Sequence, residues 1–182
     1  MTIARLNDPL LLAAKALTLF LQAVMAIGAV ILVCISAALL FFSPDIAAEL
    51  AKEGHAFPKE FPVGVLAGVF ALVCAMLAAL FIFFGKLRQI VNTVGEGDPF
   101  QPANAERLSL MAWLMLGVQI LIVPAVAMGS HLARFSGEIS NHGLTVENDF
   151  DLTGILFVIV LFILARVFRH GAQMRDELEG TV

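Results

Sequence analysis

Four long apolar runs decide what this chain can fold into. They occupy about residues 16–42, 63–84, 108–128 and 152–168, and their central parts hold no Asp, Glu, Lys, Arg or His. A helix needs about 20 apolar residues to cross the ~30 Å of hydrocarbon in a bilayer, and each run approaches or exceeds that length. The fourth is the shortest, and its Arg166 end already belongs to the interface. In hydrocarbon every backbone N–H and C=O must be satisfied within the segment, which makes helix the default. A spanning β-strand would alternate apolar and polar residues, and these runs do not alternate. The expected fold is all-α: an integral membrane four-helix bundle forming a single membrane domain over residues 1–182.

Composition points the same way. The chain has 182 residues, of which 60% are hydrophobic and 14% charged, and its mean hydropathy is +0.93. A soluble domain is roughly half apolar and about a quarter charged. A water-soluble fold of this size cannot bury so much apolar surface, whereas lipid solvates it. The first run extends well past the ~7–15 residues of a signal-peptide core, and no clear small-residue cleavage site follows it, so it reads as a retained span. Cys34 and Cys74 sit inside apolar runs and read as small packing residues, not as a disulfide framework. A formal net charge of -4 lacks the basic pattern that direct nucleic-acid binding requires.

Lys and Arg set the expected orientation. Arg5, Lys15, Lys86, Arg88, Arg107, Arg166, Arg169 and Arg175 fall on one side of the four runs, and Lys52, Lys59 and Arg134 on the other. The positive-inside rule places the richer side in the cytoplasm. Both termini are then cytoplasmic, with outside loops over residues 43–62 and 129–151, a cytoplasmic connection over 85–107 and a cytoplasmic tail over 169–182. The expected location is the bacterial inner membrane.

Within the first outside loop, Ser43-Pro44 looks like a cap followed by a proline at a first helical position. Residues 45–50 then form a short separate helix that Gly54 stops. In the second, alternation at Ala133, Phe135, Ile139, Leu144 and Val146 allows a small hairpin turning near residues 141–143. Leu87, Ile90, Val91 and Val94 recur at helical spacing, so the second helix runs past the membrane surface. Gly95 to Pro99 breaks it, and a new helix starts near residues 102–104. Phe168, Met174 and Leu178 extend the fourth helix in the same way.

Few residues offer chemistry. Gly64, Gly68, Ala71 and Ala75 share one face of the second span, and Gly64–Gly68 matches the GxxxG spacing that lets helices approach closely in lipid. Packing within the chain is the preferred reading, and a homo-oligomer through this face stays open. Gln22 and Gln119 lie in apolar spans, where an amide needs a partner. One interhelical hydrogen bond is the simpler reading, and a ligand or ion path the alternative. Pro124 is expected to bend the third span. The histidines, His55, His131, His142 and His170, show no HxxxH or HExxH spacing. No catalytic, cofactor-binding or metal-ligating set is expected, and the chain does not read as an enzyme.

Two stretches are more distinctive. Residues 87–108 read LRQIVNTVGEGDPFQPANAERL, and residues 154–182 read GILFVIVLFILARVFRHGAQMRDELEGTV. Gly97-Asp98-Pro99-Phe100, then Asn104 and Arg107, and the ending from Phe168 and Gly171 through Glu177 and Thr181 resemble the bacterial domain-of-unknown-function family 2975. The resemblance spans nearly the whole chain. It implies a small four-span membrane protein of unassigned role. Genes of that family often neighbour a small helix-turn-helix regulator, which implies a cytoplasmic regulatory partner. From the residues themselves, Arg107 has Glu177 or Glu179 as an ion-pair candidate, and Asp98 has Arg169 or Arg175. Asn104 is expected to cap the helix entering the third span. These motifs serve either to tie the connection to the tail or to bind a partner. Three roles follow as expectations: a regulatory or sensory protein acting with a cytoplasmic partner, a small oligomeric transporter or channel, or an accessory subunit of a larger membrane complex.

Overall fold

A computed structural model of the chain describes residues 9–52, 63–135 and 152–179, with the side chains of 40, 42–52, 63, 133–135 and 179 left aside. These residues form four α-helices: α1 over Pro9–Lys52, α2 over Val63–Gly95, α3 over Pro102–Phe135 and α4 over Leu152–Glu179. Among the described residues there is no strand. All four helices are long and apolar enough to cross a membrane. The shortest has 28 residues, which at about 1.5 Å per residue is roughly 42 Å, so every helix is longer than a hydrocarbon core. In the most apolar window of each helix at most 17% of the residues are buried within the protein. Side chains such as Phe20, Ile27, Val30, Ile120, Val123, Leu156 and Ile163 point outward. A soluble bundle would do the reverse; these surfaces are suited to lipid, and the chain is a polytopic membrane protein.

Helix ends depart from expectation in two places. α1 continues to Lys52 as one helix, so residues 45–50 do not form a separate element. Pro44 removes one donor, but Ala47, Ala48, Glu49, Leu50 and Lys52 are strong helix formers and carry the helix on. α3 continues to Phe135, which places Ala133 and Phe135 in a helix, not a hairpin. Ser130 supports that turn by donating from Oγ to the Ala127 carbonyl at 2.9 Å. The rest of the proposed hairpin and the Gly54 stop lie outside the described residues. Pro124 lies inside α3, which is helical on both sides of it.

The chain divides into two compact units. The first combines α1 up to Ala26, α2 from Ala78, α3 up to Gln119 and all of α4. Phe83 and Ile90 of α2, Leu108, Met111 and Ala112 of α3, and Leu161 and Ala165 of α4 form its core. On α3 the buried positions are 104, 105, 108, 111, 112 and 118, and on α4 they are 154, 158, 161, 165 and 172. Both sets follow the three-and-four spacing of a single helix face. Alanines at 112 and 165 stand among larger side chains, which lets the facing surfaces interlock. Phe83 adds ring contacts to Phe84 and Phe157, and Trp113 meets Phe162 edge-on at 5.4 Å. On α1, Thr18 is buried and donates to the Ala14 and Lys15 carbonyls at 2.9 and 3.0 Å, which satisfies its hydroxyl within its own helix.

The second unit combines α1 from Ile27, α2 up to Leu77 and the rest of α3. No described side chain in it is buried. Gly28 lies within ordinary contact of Leu77, and Cys74 donates weakly to the Ala29 carbonyl at 3.9 Å. Both cysteines are free.

Candidate functional site

The polar motifs of residues 97–107 assemble at one end of the first unit, beginning with how α2 stops. Gly97 has φ 85°, a left-handed conformation that costs any residue with a Cβ. Its N–H donates to the Val94 carbonyl at 3.1 Å, and the Asp98 N–H reaches back to Thr93 at 3.0 Å. This pair of bonds is a Schellman motif, which satisfies carbonyls that a helix end would otherwise leave open. Pro99 follows and prevents the helix from resuming. Pro102 then starts α3, where a missing N–H costs nothing.

Asn104 holds this turn closed. It is fully buried, and its Nδ2 donates to Thr93 Oγ1 at 2.7 Å and to the Pro99 carbonyl at 2.8 Å. Its Oδ1 accepts from Arg107 Nη1 at 2.7 Å. A carbonyl can only accept and a guanidinium only donate, so the orientation of the amide is forced. Asn104 therefore does not cap α3 with its side chain. It stands at the third helical position, where its N–H donates to the Gln101 carbonyl at 2.9 Å, and its side chain faces back across the turn to α2. Thr93, whose hydroxyl donates to the Ile90 carbonyl at 2.8 Å, is the partner that sequence reading missed. It sits 11 residues away in a largely apolar stretch, and no local pattern marks it.

The same turn is fastened to α4. Asp98 forms an ion pair with Arg175, one of its two expected partners, and also accepts from Gln101 Nε2 at 3.0 Å. Phe100 packs on Phe168, with ring centroids 5.4 Å apart. A Cβ at Gly171 would come within 2.7 Å of the Phe100 ring, so the glycine makes room for that ring. Arg107 bonds to Asn104, and Glu177 lies exposed on the last turns of α4. The Glu179 side chain and Thr181 lie outside the described residues. α1 reaches the same end: a Cβ at Gly95 would lie 3.7 Å from the Leu11 side chain and 3.9 Å from Lys15 Nζ. Among the described residues, no buried side-chain N or O lacks a partner, and no group of His, Cys, Asp and Glu could hold a metal ion. The arrangement is a polar joint whose described buried groups are satisfied.

The remaining singled-out residues lie elsewhere. Gln22 is half-buried beside α2, donating to the Phe81 carbonyl at 3.4 Å, with Gly85 directly against its amide. Gln119 is half-buried in α3. In the second unit the small face of α2 is mostly uncovered. Among the described residues Gly64 has nothing within 4 Å of where a Cβ would be, and Ala71 and Ala75 are exposed; a Cβ at Gly68 would meet the Met128 side chain of α3.

Comparison with known proteins supplies the family. A sequence profile described as a protein of unknown function, DUF2975, matches residues 43–182. The chain belongs to DUF2975. The matched stretch contains α2, α3 and α4, hence the whole joint around Asn104, and it leaves out residues 1–42, so it is shorter than the resemblance read from sequence. Membership in DUF2975 carries no assigned activity. No curated protein and no solved structure matches the chain.

Proposed function

We propose that this DUF2975 protein is a non-enzymatic regulatory or sensory membrane protein that acts with a cytoplasmic partner, such as a small helix-turn-helix regulator. The observation that carries this reading is the joint itself. Asp98–Arg175 and Phe100–Gly171 hold the α2–α3 connection against α4. Beyond that contact Met174 and Leu178 stay exposed on the last turns of α4, at 49% and 72%. Two apolar side chains one helical turn apart, next to Arg175, Asp176 and Glu177, are a surface that a partner helix or groove can grip. Both termini and the joint are on the cytoplasmic side in this reading, in accord with the positive-inside count.

The test is purification in mild detergent of the full chain from cells that also express its genomic neighbours. A small DNA-binding protein should co-purify, and Leu178→Arg should release it while the chain stays folded. Recovery of the wild-type chain alone overturns the proposal. A second reading, an accessory subunit of a larger complex, is favoured by the exposed small face of α2. In that case Ala71→Leu would dissociate a membrane partner and leave the cytoplasmic one bound.

A further inference from the structure

An open groove of about 1050 Å³ runs along α4 beside Phe100 and Ser109 in the first unit. We infer that it holds an anionic glycerophospholipid, with the phosphate on Arg166 and Arg169 and an acyl chain along Phe162. This site borders the partner surface proposed above, since Met174 lines both, but the phosphate contacts on Arg166 and Arg169 do not depend on that surface.

The argument starts from the order of residues on α4. Residues 152–165 carry no charge, and the cations begin directly after them with Arg166, Arg169 and His170. Phe162, Arg166 and Arg169 are spaced four and three apart and fall on one face. One groove wall is therefore apolar at the end that faces the membrane interior and cationic one turn further on. The boundary falls where an apolar helix passes from hydrocarbon to headgroups. Arg166, Arg169 and His170 are exposed, and among the described residues no carboxylate lines the groove. Asp98, two residues before Phe100, is taken up by Arg175 and Gln101. Phe100 closes one side, because Gly171 lets its ring lie against α4.

Charge complementarity selects the occupant. Two guanidiniums with no acid between them favour a phosphodiester, and arginine presents donors in a fork that matches phosphate oxygens. The apolar wall adjoining them favours a molecule with a chain attached to that phosphate. Basic pockets between helices at the membrane surface are suited to such headgroups.

The chain carries its own reporter. Trp113 is its single tryptophan; it touches Phe162 of the groove wall and stands one helical turn from Ser109. The experiment uses the full chain in bilayers of phosphatidylcholine and phosphatidylglycerol, with bromine placed on the acyl chains of one lipid or the other. Brominated phosphatidylglycerol should quench Trp113 more than brominated phosphatidylcholine at equal mole fraction. The preference should be on the order of tenfold at low salt, for two arginines at the surface. The double variant Arg166→Gln/Arg169→Gln should bring the ratio to one with helicity unchanged, and free inorganic phosphate should leave the wild-type ratio intact. Equal quenching by the two lipids in wild type overturns the inference. So does a preference that survives the double variant, or one that free phosphate abolishes, which would mark a site for a soluble anion. Absence of quenching by either lipid would mean that a second copy or another protein covers the groove, and would overturn it as well.

Discussion

Asn104→Ala should weaken the first unit more than any other single change at the joint. The variant removes three bonds at once: two donated, to Thr93 Oγ1 and the Pro99 carbonyl, and one accepted from Arg107. A neutral hydrogen bond contributes a net ~0.5–1.5 kcal/mol and one to a charged group about 1.5–3. Arg107 is only partly buried and regains water, so its share falls at or below the lower end. The sum is about 3 kcal/mol, or on the order of a hundredfold in the folding equilibrium. Most of it reflects acceptors left without a donor in a site that excludes solvent. The assay is unfolding of the purified chain by sodium dodecyl sulfate in mixed micelles. Trp113, exposed at the edge of the first unit, reports through its contact with Phe162, which packs on the core, and circular dichroism follows helicity. Combining the variant with Thr93→Val should show a coupling of about 1 kcal/mol, because the second change removes an acceptor that the first has already deprived of its donor. A loss below about 0.5 kcal/mol for Asn104→Ala, the range of an ordinary surface substitution, would refute the reasoning and mean that the buried amide is not what holds the turn.

Gly97→Ala should cost about 1 kcal/mol in the same titration, the penalty of placing a Cβ in the left-handed region, and Gly97→Asn should cost less. Asp98→Asn and Arg175→Gln should couple by only about 0.5 kcal/mol, and the coupling should fade in high salt, because the pair is 30% and 46% exposed. In the second unit Gly68→Ala should cost no more than about 1 kcal/mol, because the added methyl meets only the flexible end of Met128, and Gly64→Leu should stay within about 0.5 kcal/mol of wild type, as nothing among the described residues lies within 4 Å of that position. The same unfolding midpoints decide all three.

The four helices were legible because lipid imposes a demand that sequence displays directly: an uninterrupted apolar run about as long as the bilayer is thick. Their ends were less legible. Ser43-Pro44 resembles a stop and restart by composition, yet the backbone remains helical to Lys52, since one proline removes a single bond and the residues after it favour helix. The turn at Gly97 and the restart at Pro102 were readable because both residues act through their own backbone chemistry. Partners were not readable at all. Periodicity shows that Gly64, Gly68, Ala71 and Ala75 share a face but not whether anything packs on it; among the described residues Met128 lies against Gly68 and nothing lies near Gly64. For Asp98, charge alone narrowed the candidates to two arginines, and only the path of α4 selects Arg175. Thr93 and Asn104 meet because the chain reverses between them, a fact of the turn and not of either residue.

Lipid also explains why the joint, and not the apolar surface, carries specificity. Between helices in hydrocarbon there is no hydrophobic driving force, because acyl chains are as apolar as leucine. Exposed side chains such as Ile27, Val123 and Ile163 therefore make the chain insert without telling one helix where to lie on another. Specific positions need close steric fit or hydrogen bonds with a fixed direction. In the first unit both are present: every buried side chain described in the chain lies there, including the polar Thr18, Thr93 and Asn104. It follows that exchanging one exposed aliphatic residue for another should barely alter behaviour. Changes at Gly97, Asn104 or Gly171 would instead shift α2, α3 and α4 relative to one another within that unit. The cytoplasmic partner proposed above would meet a surface that depends on those three residues.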